Sequence, residues 1–189
     1  MRVTLFLFVL SGCVIKHEPK MVQSPLRAPD PKKIITLVCD EKCSEGERLR
    51  LAILEAKLNE TLGSQCFEDF ITAKGRPYHM LNGNPESVVK TMRTPQVILV
   101  NYFFHPAFGL AGFDVAEQPV IHMNRASIAA FGMNACAEAS VMAHEIAHVK
   151  GFMHRGNENN EYNNSTVPYV INHAFDPKRE DYRNGGCCL

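Results

Sequence analysis

The chain has 189 residues, and its 20 basic and 20 acidic residues give a formal net charge of zero at neutral pH. This balance provides no strongly basic surface for nucleic acid or for an anionic membrane, and we expect no nucleic-acid partner. The length suits a single hydrophobic core, and no internal repeat is visible.

Residues 1–12 are typical of a secretion signal. The charged Arg2 precedes an apolar run from Val3 to Leu10 that is far too short to cross a bilayer. The run ends in Leu10, Ser11, Gly12 and Cys13, which resembles the lipobox of bacterial lipoproteins, where the cysteine thiol carries the lipid. This resemblance implies lipidation of Cys13 and anchoring in the bacterial cell envelope, at the outer membrane or the cell surface. A conventional signal peptide with a cysteine near its end is the alternative.

Residues 13–33 are predicted to form a tether, because prolines lie there among charged residues with few apolar positions. Residues 34–189 would then form the folded domain. Ser44 and Glu47 make a capping box, and the helical leucine spacing that follows predicts a helix over 45–62 with a buried stripe. The stripe consists of Leu51, Leu54, Leu58 and Leu62.

The middle of the domain alternates helices and strands. Asn84 before Pro85 indicates a second, short helix. Val97 to Phe103 and Val120 to Met123 are typical of strands, while Gly109 to Phe113 between them fits a small-residue strand or a plain loop equally well. Asn134 caps a helix that is predicted to run to Lys150. This order predicts an α+β domain with a small mixed sheet, a long N-terminal helix and an active-site helix.

The segment from His144 to His154 reads HEIAHVKGFMH and matches the pattern H-E-x-x-H-x-x-G-x-x-H. His144 and His148 lie four residues apart, on one face of a helix, and can bind one metal ion. Gly151 tolerates the left-handed backbone that would turn the chain and bring His154 to the same ion. The pattern predicts Zn²⁺ as the cofactor, with Glu145 beside the metal as a general base.

In a catalytic zinc site the metal lowers the pKa of a water molecule to roughly 7 and polarises the scissile carbonyl. Glu145 would accept the proton of that water and return it to the leaving amine. Ordinary histidines on a half-buried helix, or a structural zinc site, are the alternatives. A closed structural site would need a fourth protein ligand, and no cysteine lies at finger-like spacing beside this helix.

The segment 144–154 is similar to the motif of the metzincin clan of zinc endopeptidases, and the element order over about 34–155 also resembles that clan. The resemblance implies a zincin-like fold in which Gly109 to Phe113 is an edge strand that pairs with an extended protein or peptide substrate. One departure is the absence of a methionine after Met153, where metzincins place a methionine turn beneath the metal. The segment Thr166 to Ile171 is the best candidate for that place, with Val170 or Ile171 as the apolar floor.

Tyr169 is a candidate catalytic residue, because its hydroxyl could donate a hydrogen bond to the oxyanion of the reaction. A tyrosine that is only packed is the alternative, and Tyr162 is the weaker candidate. Asn157 to Asn164 is predicted to be a solvated loop. The other five histidines have no metal-binding spacing and are interpreted as surface or core residues: His17, His79, His105, His122 and His173.

Six cysteines remain after Cys13, and an even number in an exported chain favours disulfide bonds. Many pairings are open, and we predict one bridge, from Cys66 to Cys136, which would tie the first half of the domain to the active-site helix. Buried free thiols are the alternative for some of the six.

Together these features predict an exported, lipid-anchored zinc endopeptidase that is monomeric. Its metal ligands would be His144, His148 and His154, and Glu145 would activate water. One alternative is a zinc-binding envelope or adhesion lipoprotein without catalysis. The other is a zinc amidase that acts on cell-wall crosslinks with the same residues.

Overall fold

The computed structural model describes residues 30–73, 83–105, 112–115, 118–130, 134–155, 160–175 and 187–188. The predicted signal peptide, Cys13 and most of the predicted tether lie outside these residues, as do His17 and His79. The described elements in chain order are β1 Ile35–Cys39, α1 Glu45–Gly63, α2 Gln65–Thr72, α3 Pro85–Met92, β2 Gln96–Phe103, β3 Gly112–Val115, β4 Gln118–Asn124, α4 Arg125–Ala130, α5 Ala135–Val149, α6 Glu161–Asn164 and α7 Val167–Phe175. The predicted combination of helices with a small mixed sheet is confirmed.

The sheet has the strand order β1-β2-β4-β3. Strands β1, β2 and β4 are parallel, with Leu37 opposite Ile98 and Val100 opposite Ile121. Strand β3 pairs antiparallel with β4 and lies at one edge of the sheet. The strand reading of Gly109 to Phe113 is therefore confirmed for Gly112 and Phe113, whereas 109–111 lie outside the described residues. Strand β1 was not predicted.

Helix α1 begins and packs as the sequence predicts. The Ser44 backbone N–H donates to Glu47 Oε2 over 2.8 Å, and the Glu47 N–H donates back to Ser44 Oγ over 3.2 Å. The leucine stripe is buried, and Leu54, Leu58 and Leu62 have no exposed surface. Burial of such side chains contributes roughly 1.5–3 kcal/mol each. The stripe therefore attaches α1 to the core.

Helix α5 lies at the centre of the domain, in contact with α1, β3, β4 and α7. It begins where predicted, since the Asn134 side chain accepts a 2.8 Å hydrogen bond from the Ala137 N–H. Met142 and Ile146 on this helix are fully buried in the core. Packing of these two side chains fixes the orientation of α5, and with it the positions of the other residues on this helix.

The predicted Cys66–Cys136 bridge is wrong, although both cysteines are bonded. Cys66 pairs with Cys187 and Cys136 pairs with Cys188, while a third bond joins Cys39 to Cys43. The adjacent Cys187 and Cys188 therefore bond to two different helices, Cys187 to α2 and Cys188 to α5. All six of these cysteines are in disulfide bonds, so the free-thiol alternative is also wrong.

Within the described part of the chain, no helix combines the length and apolar character needed to span a bilayer.

Candidate metal centre

The end of helix α5 shapes the candidate metal centre. The Gly151 N–H donates to the His148 carbonyl over 2.8 Å, and the Phe152 N–H donates to the Ala147 carbonyl over 3.0 Å. These two bonds form a Schellman motif, which requires a left-handed residue just past the helix end. Gly151 fills that position with φ +91°. The predicted left-handed turn at Gly151 is confirmed.

This turn brings His154 back to the two histidines of the helix. The Nε2 atoms of His144 and His148 are 3.2 Å apart, and the Nε2 atom of His154 lies 3.1 Å from the former and 3.0 Å from the latter. Among the described residues, this triad is the group of side chains whose donor atoms could hold a metal ion. The convergence of the three predicted ligands is confirmed.

Main-chain carbonyls hold two of the rings in orientation. His148 Nδ1 donates to the Phe152 carbonyl over 2.7 Å. His144 makes a hydrogen bond to the Pro168 backbone, and because proline has no N–H, the imidazole must be the donor. With Nδ1–H committed in this way, a neutral imidazole turns the lone pair of its Nε2 toward the metal position. Lone pairs that face each other at this distance repel, and a cation between them removes the repulsion.

The protonation of the site favours metal binding. Burial, with a smaller effect of the neighbouring His148 and His154, lowers the pKa of His144 to about 3. An imidazole binds a metal only in its neutral form. His144 is therefore ready to bind a metal ion at neutral pH.

Tyr169 lies beside the triad, and Glu145 directly follows His144 on α5. The Tyr169 ring centroid is 4.7 Å from that of His144 and 5.0 Å from that of His154. Burial, together with the charge of Glu145, raises the pKa of the Tyr169 hydroxyl. The Glu145 side chain is only 8% exposed. The structure therefore places the Tyr169 ring against two of the three histidines, and Glu145 close enough to Tyr169 to affect its pKa. The catalytic roles of both residues stay predictions.

The segment downstream of the triad differs from the prediction in two places. Val170 and Ile171 are buried as expected, but they lie within the helix α7, whose Pro168 carbonyl and Tyr169 ring are the groups that meet the triad. The predicted solvated loop over 157–164 is wrong at its end, because 161–164 form α6 and Asn163 is fully buried. The Asn160 side chain caps α6 by accepting from the Asn163 N–H, so a polar sequence still forms a packed turn.

Among the described residues, the other histidines and Tyr162 are not part of the ligand set, although His173 lies close enough to His144 to lower its pKa. His105 and His122 are partly buried, and His173 is buried on α7. Tyr162 is 46% exposed, and the Arg155 guanidinium lies over its ring, with the Arg155 Cζ atom 5.8 Å from the centroid of the Tyr162 ring. The carbonyls of Phe152 and Pro168 were missed by sequence reasoning, since a main-chain acceptor leaves no residue-type signal.

Comparisons of the chain with protein-family models, with curated proteins and with solved structures found no match.

Proposed function

We propose that this protein is an exported zinc endopeptidase with a zincin-like fold. The observation that carries the proposal is the convergence of three Nε2 atoms within 3.2 Å of one another, together with a buried glutamate, Glu145, that directly follows the first of these histidines in the chain. Helices α1 and α5 contact the sheet, and α5 contacts its edge strand β3. An extended peptide can pair with such an edge and reach the triad.

Zinc fits the donor set. Two nitrogen ligands of a tetrahedral zinc ion lie about 3.3 Å apart, close to the observed spacing of 3.0–3.2 Å. Three protein ligands with one open position are typical of catalytic rather than structural zinc. When bound, zinc would act as a Lewis acid and lower the pKa of water at the open position.

The residues of the chain would supply the proton transfers. Glu145 is buried and near Tyr169, where its carboxylate can accept the proton of the attacking water and deliver it to the leaving amine. The Tyr169 hydroxyl is protonated at neutral pH, since the ordinary pKa of tyrosine is near 10 and here it is raised further. It can therefore donate a hydrogen bond to the carbonyl oxygen that gains negative charge.

The cellular location is part of the proposal. Three disulfide bonds support an oxidising compartment outside the cytoplasm. The lipobox-like sequence at Leu10 to Cys13 supports a lipid anchor in the bacterial envelope.

Glu145→Gln tests the function. This variant should keep the metal, because Glu145 is not a ligand, but should lose on the order of 10²-fold or more in turnover of a peptide library. Unchanged turnover would remove Glu145 from the mechanism. A wild-type protein that binds zinc but cleaves only cell-wall crosslinks would favour the amidase, and one that cleaves neither would favour the non-catalytic zinc lipoprotein.

A further inference from the structure

Helices α5 and α7 pack antiparallel, and their contacts define a register. Ser140 Oγ donates to the Asn172 carbonyl over 3.1 Å. One turn further along α5, the centroid of the His144 ring lies 4.7 Å from that of Tyr169, about one turn earlier on α7. The backbone of the adjacent Pro168 is the hydrogen-bond partner of the His144 ring. The position of α7 along α5 therefore determines whether the Pro168 carbonyl lies within hydrogen-bonding distance of the His144 ring.

The adjacent cysteines fix this register at the opposite end of the helix pair. Cys188 is bonded to Cys136, one turn before Ser140 on α5. The Cys187 N–H donates to the Ala174 carbonyl near the end of α7 over 2.6 Å. One dipeptide thus binds the start of α5 covalently and the end of α7 by a hydrogen bond. Both of its cysteines are buried.

We propose that Cys188, through its bond to Cys136, is a positioning residue of the metal centre. The closed bridge holds α7 where the Pro168 carbonyl orients the His144 ring. The inference rests on the proposed zinc site and adds a condition to it, namely that full metal affinity requires the C-terminal bridge to be oxidised. Loss of an outer hydrogen-bond partner of a metal-binding histidine typically costs 10–100-fold in metal affinity.

The second bridge offers a matched control. Cys66 to Cys187 spans 121 residues, whereas Cys136 to Cys188 spans 52. Because a disulfide that closes a longer loop stabilises the fold more, a purely stabilising role would make the Cys66 bridge the more costly one to remove. The Cys66 bridge is attached to α2. Its removal therefore leaves the bond between Cys136 of α5 and Cys188 in place. A positioning role therefore predicts the opposite order for zinc affinity.

The experiment compares the full-length oxidised protein with two double variants, Cys136→Ser with Cys188→Ser and Cys66→Ser with Cys187→Ser. Zinc affinity is measured by competition with a chromophoric chelator, and stability by thermal unfolding. We expect about tenfold weaker zinc binding without the Cys136 bridge and near wild-type binding without the Cys66 bridge. Equal losses in the two variants, or no loss in the first, would overturn the proposal.

Ser140→Ala keeps the proposal testable if the first double variant does not fold. It removes the Asn172 hydrogen bond but leaves every disulfide, and it should weaken zinc binding about threefold. Unaltered affinity in this variant would count against control by the helix register. A wild-type protein that binds no zinc would instead reject the proposed function itself.

Discussion

His148 illustrates how single residues prepare the metal centre. Its Nδ1–H is committed to the Phe152 carbonyl over 2.7 Å, which leaves the Nε2 lone pair for a cation. Phe152 is also the residue whose N–H closes the helix end. The same peptide units that end α5 therefore orient one of its ligands.

Tyr169→Phe separates packing from catalysis at the residue scale. The ring would still contact His144 and His154, so metal content should be unchanged. The missing hydroxyl should lower kcat on the order of a hundredfold, because one oxyanion donor is lost. Steady-state kinetics on a cleaved peptide measure this. Tyr162→Phe is the control, since Tyr162 is partly exposed and packs with Arg155; equal kcat in both variants and the wild type would leave Tyr169 a packing role only.

At the scale of the element, the turn at the end of α5 determines the third ligand. Gly151 has φ +91°, and a Cβ added there would meet nothing within 4 Å. Gly151→Ala should therefore cost about 1–2 kcal/mol through the backbone alone and weaken metal binding as His154 shifts. Chemical denaturation of the metal-free protein and zinc titration measure the two effects.

Gly46→Ala is the matched control for this substitution. Gly46 lies in α1, and its added Cβ would also meet nothing within 4 Å. The change should stabilise the protein by about 0.5 kcal/mol, because alanine favours a helix. The role of the left-handed turn would be refuted if Gly151→Ala, like Gly46→Ala, raised the free energy of unfolding and left zinc affinity intact.

Features that act over one or two turns could be predicted from the sequence. The Asn134 cap, the spacing of His144 and His148, and the glycine after the helix all act on neighbouring residues. Helix α7 could not be predicted, because Val167–Phe175 contains three β-branched residues, which have low helix propensity. Most of its residues are buried, and packing against α5 supplies the stability that its propensity does not.

Contacts between residues far apart in the sequence could not be predicted either. The choice of Cys66 for Cys187 and of Cys136 for Cys188 depends on which helix ends meet in the folded domain. The carbonyl of Pro168 reaches His144 for the same reason. Local patterns therefore identified the ligands, while tertiary packing determined what supports them.

In the molecule as a whole, a lipid anchor at Cys13 would be joined to a disulfide-bonded domain. Cys13→Ser should move the protein from the membrane fraction to the soluble fraction, since the proposed lipid is attached to that thiol. Zinc content should stay at the wild-type value, which serves as the control that the domain is intact. Unaltered membrane fractionation would contradict the lipidation of Cys13.

Metal analysis of the native protein tests the central claim most directly. Three imidazoles that converge on one point should hold about one zinc ion per chain, and His148→Ala should lose most of it while leaving the disulfides closed. Native protein that contains no zinc and takes up none on titration would contradict the account.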